Sequence, residues 1–106
     1  MTYVFDIDGT ICSLTNGNYD LAIPIQKRID KINKLHAAGH KIIFYTARGM
    51  GRYDNNRILA SAEFWTFTHR QLKKWGVKFD HLQLGKPGGD LYIDDKAVKD
   101  EEFFTD

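Results

Sequence analysis

Apolar residues along this chain fall into four short runs, separated by two longer stretches of helical period. Tyr3–Ile7 is a continuous run of strand length and predicts a buried strand. Residues 11–23 are irregular, and Asn16-Gly17-Asn18 marks a turn. Pro24 opens a helix at a position where its missing N–H costs nothing. Ile25, Ile29, Ile32 and Leu35 give that helix an apolar stripe, and Gly39 ends it. Lys41–Tyr45, rich in Ile and aromatics, predicts a second strand. After a Gly-containing loop over 47–53, Asp54, Asn55 or Asn56 can cap a second helix. That helix runs to Trp75, with Ile58, Ala62, Trp65 and Leu72 on its inner face and Gly76 as its stop. His81–Leu84 predicts a third strand and Leu91–Ile93 a fourth. Ala97–Phe104 reads as one helical turn whose two aromatics fold back on the core. There is no repeat, no low-complexity tract and no linker.

Strand, helix, strand, helix, strand is the βαβ pattern of a parallel sheet, so the fold class is α/β. A chain of 106 residues makes one domain, 1–106. Crossovers in such a sheet are right-handed, every strand points its C-terminal end the same way, and ligands bind beyond those ends.

Polar signals stand at four of these ends. Asp6 and Asp8 follow the first strand in Asp6-Ile7-Asp8-Gly9-Thr10. Two carboxylates so close repel and shift each other's titration, which is an odd arrangement to build for stability alone. At average residue usage the string Asp-x-Asp-Gly-Thr arises by chance in roughly one chain in a thousand of this length. Thr46 ends the second strand, Lys86 follows the third in Gly85-Lys86-Pro87-Gly88, and Asp94-Asp95 ends the fourth. Asp6 to Thr46 and Thr46 to Lys86 are each 40 residues, about one βαβ unit. A parallel sheet brings all four signals to one edge. Hard oxygen ligands suit Mg²⁺. A lysine and loop N–H groups suit a phosphate. Carboxylates without a metal would repel a phosphate.

These residues carry a family resemblance. Phe5-Asp6-Ile7-Asp8-Gly9-Thr10, Ile42-Ile43-Phe44-Tyr45-Thr46, Gly85-Lys86-Pro87 and Tyr92-Ile93-Asp94-Asp95 resemble, in order, the four motifs of the haloacid dehalogenase-like superfamily of aspartate-nucleophile phosphatases. The resemblance implies a Rossmann-like three-layer sandwich around a short parallel sheet of about four strands, order 4-1-2-3. It implies that Asp6 is the nucleophile and forms an aspartyl-phosphate, and that Asp8 is the general acid and then the general base. It implies that Asp6, the backbone carbonyl of Asp8, and Asp94 hold Mg²⁺, with Asp95 binding directly or through water. Thr46 and Lys86 would hold the phosphoryl oxygens, with loop N–H groups near Ile7 and Ala47. Family members often carry a cap domain. The 13 residues between Thr10 and Pro24 leave no room for one, and the gap before Lys86 is filled by one helix and a strand. The chain resembles a capless member, and within these it is similar to small phosphatases of capsule and surface-polysaccharide biosynthesis. That similarity implies a small phosphorylated metabolite, a sugar phosphate, as substrate. A nucleotide or polynucleotide phosphatase is the enzyme alternative, and a degenerate binding or assembly module the non-enzyme one. A phosphotransferase would use the same intermediate.

Composition narrows the choice. There are 15 basic and 14 acidic side chains, net +1, with no Lys/Arg block, which argues against a nucleic-acid surface. No apolar stretch approaches membrane length, and a strand beginning at Tyr3 leaves no room for a signal peptide, so a cytoplasmic protein without membrane partners is expected. Cys12 is the only cysteine and has no His near it in sequence; it reads as a small passive residue. Arg48, Arg52 and Tyr53 either contact the substrate beyond its phosphate or are solvated charge and a packed ring. Trp65, Phe67 and Trp75 read as core or subunit interface, so a homo-oligomer is one expectation. The histidines at 36, 40, 69 and 81 lack metal-ligand spacing.

Overall fold

The computed structural model describes residues 1–105. Three parallel strands form its sheet: β1 (Thr2–Phe5), β2 (Lys41–Thr46) and β3 (His81–Leu84), in the order β1-β2-β3. Helix α1 (Gln26–Ala37) connects β1 to β2, α2 (Arg57–Lys74) connects β2 to β3, and a short α3 (Asp100–Phe103) closes the described chain. A 3₁₀ turn, Tyr19–Leu21, interrupts the first connection.

Register explains the core. Phe5 pairs with Phe44, and Phe44 with Leu82, so all three side chains rise from one sheet face. Ile29 and Ile32 of α1, and Leu72 of α2 with Val77, pack on that face. Each such side chain contributes about 1.5–3 kcal/mol by leaving water. The aromatics of the tail behave as expected: Phe103 and Phe104 lie edge-on or tilted against Phe5.

Several helix ends follow local chemistry. Asn56 is the residue that caps α2, its side chain accepting from the N–H groups of Ile58 and Leu59. Asp54 and Asn55 cannot take that role, because both sit in left-handed turn conformations. Pro24 lies just outside α1, and Ile25 occupies the cap position.

The architecture departs from expectation in two respects. First, the sheet has two layers and not three. Stepping β1 to β2 to β3 with right-handed crossovers sends both helices to the same face. The opposite face stays open: Val4 is 60% exposed, and His81 and Gln83 are exposed as well. Second, Leu91–Ile93 is not a strand, and the described sheet has three strands in place of the expected four. Leu91 and Ile93 are 77% and 91% exposed. The reason is a tight local fold. Tyr92 Oη donates to the carbonyl of Pro87 at 2.5 Å and accepts from the N–H of Gly89 at 3.1 Å. That turn holds the ring over Lys86 and spends the segment's contacts locally.

The inner face of α2 is also rotated from the one expected. Ala60, Thr68 and Leu72 are buried, whereas Ile58 is 73% exposed and Trp65 lies at the rim, donating its indole N–H to the Leu82 carbonyl. The rotation has a cause in the loop below it, where Arg48 and Gly49 meet Thr68 and Phe64.

Candidate active site

The C-terminal ends of the strands gather most of the expected polar residues. Beyond β1 the chain turns sharply: Thr10 and Ile11 both donate their N–H groups to the Ile7 carbonyl. Gly9 takes φ +80, a conformation that favours glycine. The turn leaves Asp6 and Asp8 on the same edge with Ile7 buried between them.

Asp6 lies between a cation and a hydroxyl. Lys86 Nζ is 3.7 Å from its Oδ1, and Thr10 Oγ1 donates to Oδ2 at 3.5 Å. Burial pushes the Asp6 carboxyl above the usual carboxylate range; the Lys86 charge and the Ile7 N–H oppose this, while the Asp8 charge adds to it. Lys86 reaches this point because its N–H donates to the Thr46 carbonyl at 3.2 Å, extending the β2–β3 ladder by one step. Its ammonium also lies 4.3 Å from the centre of the Tyr92 ring. Lys86 therefore meets Asp6 across the sheet, and Thr46 stands at the same edge, as the 40-residue spacing predicts.

Thr46 is buried at the end of β2, its hydroxyl accepting from the Arg48 N–H at 3.2 Å and keeping a proton to donate. Ala47 follows it, half-buried. Arg48 departs most from expectation. It does not extend outward toward a substrate; it is 1% exposed. Its Nε donates to Asp8 Oδ2 at 2.9 Å and its Nη2 to Asp8 Oδ1 at 3.0 Å. Nη1 donates to Thr68 Oγ1 at 3.2 Å, and the guanidinium lies 4.7 Å from the centre of the Tyr19 ring. A planar fork with five donors is the side chain suited to such a bidentate grip. Arg52 and Tyr53 remain at the surface, both bonded to Glu63 of α2. That hydrogen bond holds the Tyr53 phenol above its usual range.

The sequence reading did not single out Tyr19 and Thr68. Tyr19 Oη accepts from the Gly49 N–H at 2.9 Å, which ties the loop after the pentapeptide to the loop after Thr46. No local pattern points to either residue, because each is selected by its contact with the loop at 48–49, 20 to 30 residues away. Cys12 is as inert as expected. It is buried, and desolvation reinforced by the Asp8 charge pushes its thiol up to about 12.

The second acidic pair is elsewhere. Asp94 and Asp95 lie in an exposed segment, where Asp94 Oδ1 accepts from the Lys96 N–H at 3.0 Å. That bond and one from Asp95 hold the Asp94 carboxyl below its usual range. Among the described residues no three His, Cys, Asp or Glu side chains converge into a metal-holding group. The arrangement thus offers Mg²⁺ only part of the expected donor set, Asp6 with the backbone at Asp8.

Between the loop after the pentapeptide and the loop after Thr46 lies a cleft of about 510 Å³, lined by Asn16, Asn18, Tyr19, Arg52 and Phe64, with Gly17, Gly49 and Gly51 between them. Among the described residues no helix is long and apolar enough to cross a membrane.

No protein-family model matches the chain, and no curated protein matches it significantly. Among solved structures it is similar to a crystal structure of a protein from Vibrio cholerae, with a TM-score of 0.89 and 29% identity over 98% of this chain and 87% of that one. The chain thus shares with that protein a small α/β architecture built on a parallel sheet.

Proposed function

We propose that this chain is a phosphomonoester hydrolase of the haloacid dehalogenase-like type, with a Rossmann-like catalytic core and no cap. It would work through an aspartyl-phosphate on Asp6. The observation that carries the reading is the environment of Asp6: a carboxylate at a strand end, 3.7 Å from the Lys86 ammonium, with a second carboxylate, Asp8, two residues on. A nucleophile that must approach a dianionic phosphate needs a neighbouring cation, and a leaving oxygen needs a proton source.

In the first step an Asp6 carboxylate oxygen attacks phosphorus. The ester P–O bond breaks, and the departing oxygen takes a proton from Asp8. In the second, water attacks the phosphorus of the aspartyl-phosphate and gives a proton to the Asp8 carboxylate. The Asp6–phosphorus bond breaks, releasing inorganic phosphate and restoring Asp6. Thr46, Lys86 and the N–H groups near Ile7 and Ala47 would hold the phosphoryl oxygens. Mg²⁺ belongs to the reading as well: Asp6 and the Asp8 carbonyl would hold it at the packed edge, while Asp94 and Asp95, the other residues the resemblance gives to it, stand in an exposed segment and, among the described residues, do not converge with them. Bound there, it would offset the charge that a phosphate brings beside carboxylates.

The substrate we infer is a small phosphorylated metabolite, a sugar phosphate. The cleft between the two loops is in keeping with this, since its two asparagine amides suit hydroxyl groups. The reading implies a cytoplasmic enzyme, and the open site leaves space for a second copy to act as a lid.

The test is hydrolysis of a generic aryl phosphate with Mg²⁺, with chelator, and by Asp6→Asn. Activity confined to the unsubstituted protein with Mg²⁺ is the expected result. Turnover that survives Asp6→Asn or chelation would sink the mechanism. A panel of phosphorylated sugars, nucleotides and oligonucleotides then fixes the substrate class; steeply salt-dependent turnover of oligonucleotides would favour the polynucleotide alternative.

A further inference from the structure

We infer that Arg48 is a positioning residue for the proton-transfer steps: its guanidinium holds the Asp8 carboxylate in one orientation and so fixes where Asp8 gives and takes its proton. The inference rests on the reading of Asp8 as general acid and base. Arg48 itself is buried beneath the edge, so it acts through Asp8 and not on the substrate.

The geometry is that of a clamp anchored on every side. Two parallel bonds of 2.9 and 3.0 Å, one to each carboxylate oxygen, define both the position and the plane of the Asp8 carboxylate. The guanidinium cannot drift. Thr68 of α2 accepts from Nη1, Tyr19 covers one of its faces, and the Arg48 backbone is held by the Thr46 hydroxyl. Thr46, the expected phosphate ligand, and Asp8, the expected proton carrier, are thereby linked through a single residue. A carboxylate has about four lone-pair sites, and the bidentate grip occupies one on each oxygen. The Cys12 thiol donates to Oδ1 at 3.6 Å, so Oδ2 keeps the open site for the proton. Asp8 serves two transfers, first to the leaving oxygen and then from water, and both demand the same aim. A displacement of one ångström at such a group can cost about a hundredfold in rate.

A buried ion pair is often only structural, and it is weak evidence of more by itself. What separates the two roles is whether the effect of Arg48 passes through Asp8. Arg48→Lys keeps the charge and loses the planar fork. With an alkyl phosphate, whose leaving group needs a proton, Arg48→Lys is expected to lower kcat about ten- to a hundredfold and to leave KM within about twofold. The decisive measurement repeats the substitution in an Asp8→Asn background and reads the first-turnover burst of p-nitrophenolate from p-nitrophenyl phosphate, whose leaving group needs little protonation and whose release precedes the step in which water needs Asp8. There Arg48→Lys is expected to cost nothing further, because the group it aims is gone. Thr68→Val, which removes only the hydroxyl behind Nη1, supplies a milder version if Arg48→Lys does not fold. It is expected to lower kcat about two- to fivefold, again only when Asp8 is present. An equal loss in both backgrounds, or a loss confined to KM, overturns the inference and leaves the phosphatase reading standing. An unsubstituted protein without phosphatase activity, or an active Asp6→Asn, overturns both.

Discussion

Two acidic pairs follow apolar runs in this chain, and the structure treats them in opposite ways. Asp6 and Asp8 stand on a packed edge. One faces Lys86 and Thr10, and the other is gripped by a buried arginine. Asp94 and Asp95 stand on an exposed segment and, among the described residues, find partners in their immediate neighbours. Burial pushes the Asp6 carboxyl up, while local hydrogen bonds hold the Asp94 carboxyl down. The difference teaches that a carboxylate pair acquires fixed partners when distant elements enclose it, and stays a solvated turn when they do not. Enclosure raises the cost of charge and strengthens every partner that offsets it.

The comparison can be broken or sharpened by substitution. The largest effect is expected from Asp8→Ala, which leaves the Arg48 guanidinium buried and unpaired. Loss of one partner of a buried pair costs about 3–5 kcal/mol, so urea unfolding should detect a large fall in stability. A change below about 1 kcal/mol would show that the packed edge is no more constrained than the exposed one. Next comes Gly49→Ala, in the loop that carries Arg48. Gly49 has φ +81, and an added Cβ would stand 2.6 Å from a ring carbon of Phe64, itself on a packed helix. Overpacking of this kind costs about 1–3 kcal/mol, read as a lowered Tm. Asn56→Ala removes the cap that starts α2 behind the same loop and should cost about 1 kcal/mol by the same measurement. The smallest effect belongs to the second pair. Asp94→Ala and Asp95→Ala should each leave the Tm of the metal-free protein essentially unchanged. If the Mg²⁺ reading holds, the same two substitutions raise the Mg²⁺ concentration needed for half-maximal phosphatase activity. Unchanged Mg²⁺ dependence would confine the site to the packed edge.

Much of this was legible beforehand, and the failures have physical causes. Ile29 and Ile32 face the core, as their stripe predicts, because only one side of α1 is apolar. Helix α2 is apolar on more than one side, so its sequence admits several inner faces. Of Ile58, Ala62, Trp65 and Leu72, Leu72 alone lies on the buried face, because contacts with Arg48 and Gly49 turn Ala60, Phe64 and Thr68 inward. Arg48 was misread for a related reason: a charged residue in a Gly-containing loop belongs in water unless a partner waits inside. That partner, Asp8, lies 40 residues away. Leu91–Ile93 has the composition of a strand, yet strand formation requires an edge to pair with. Tyr92 closes on Pro87 and Gly89 instead.

The sequence by itself determined the α/β alternation, the three paired strands, and the meeting of Asp6, Thr46 and Lys86 at one edge. Periodicity and spacing suffice for these, because parallel strands have a common direction and βαβ units a nearly constant length. Only the tertiary structure decided that the sheet has one covered face, that Asp94-Asp95 lies apart, and that Arg48 is folded inward onto Asp8. Those outcomes depend on which of several competing long-range contacts excludes water best, and no local pattern carries that information.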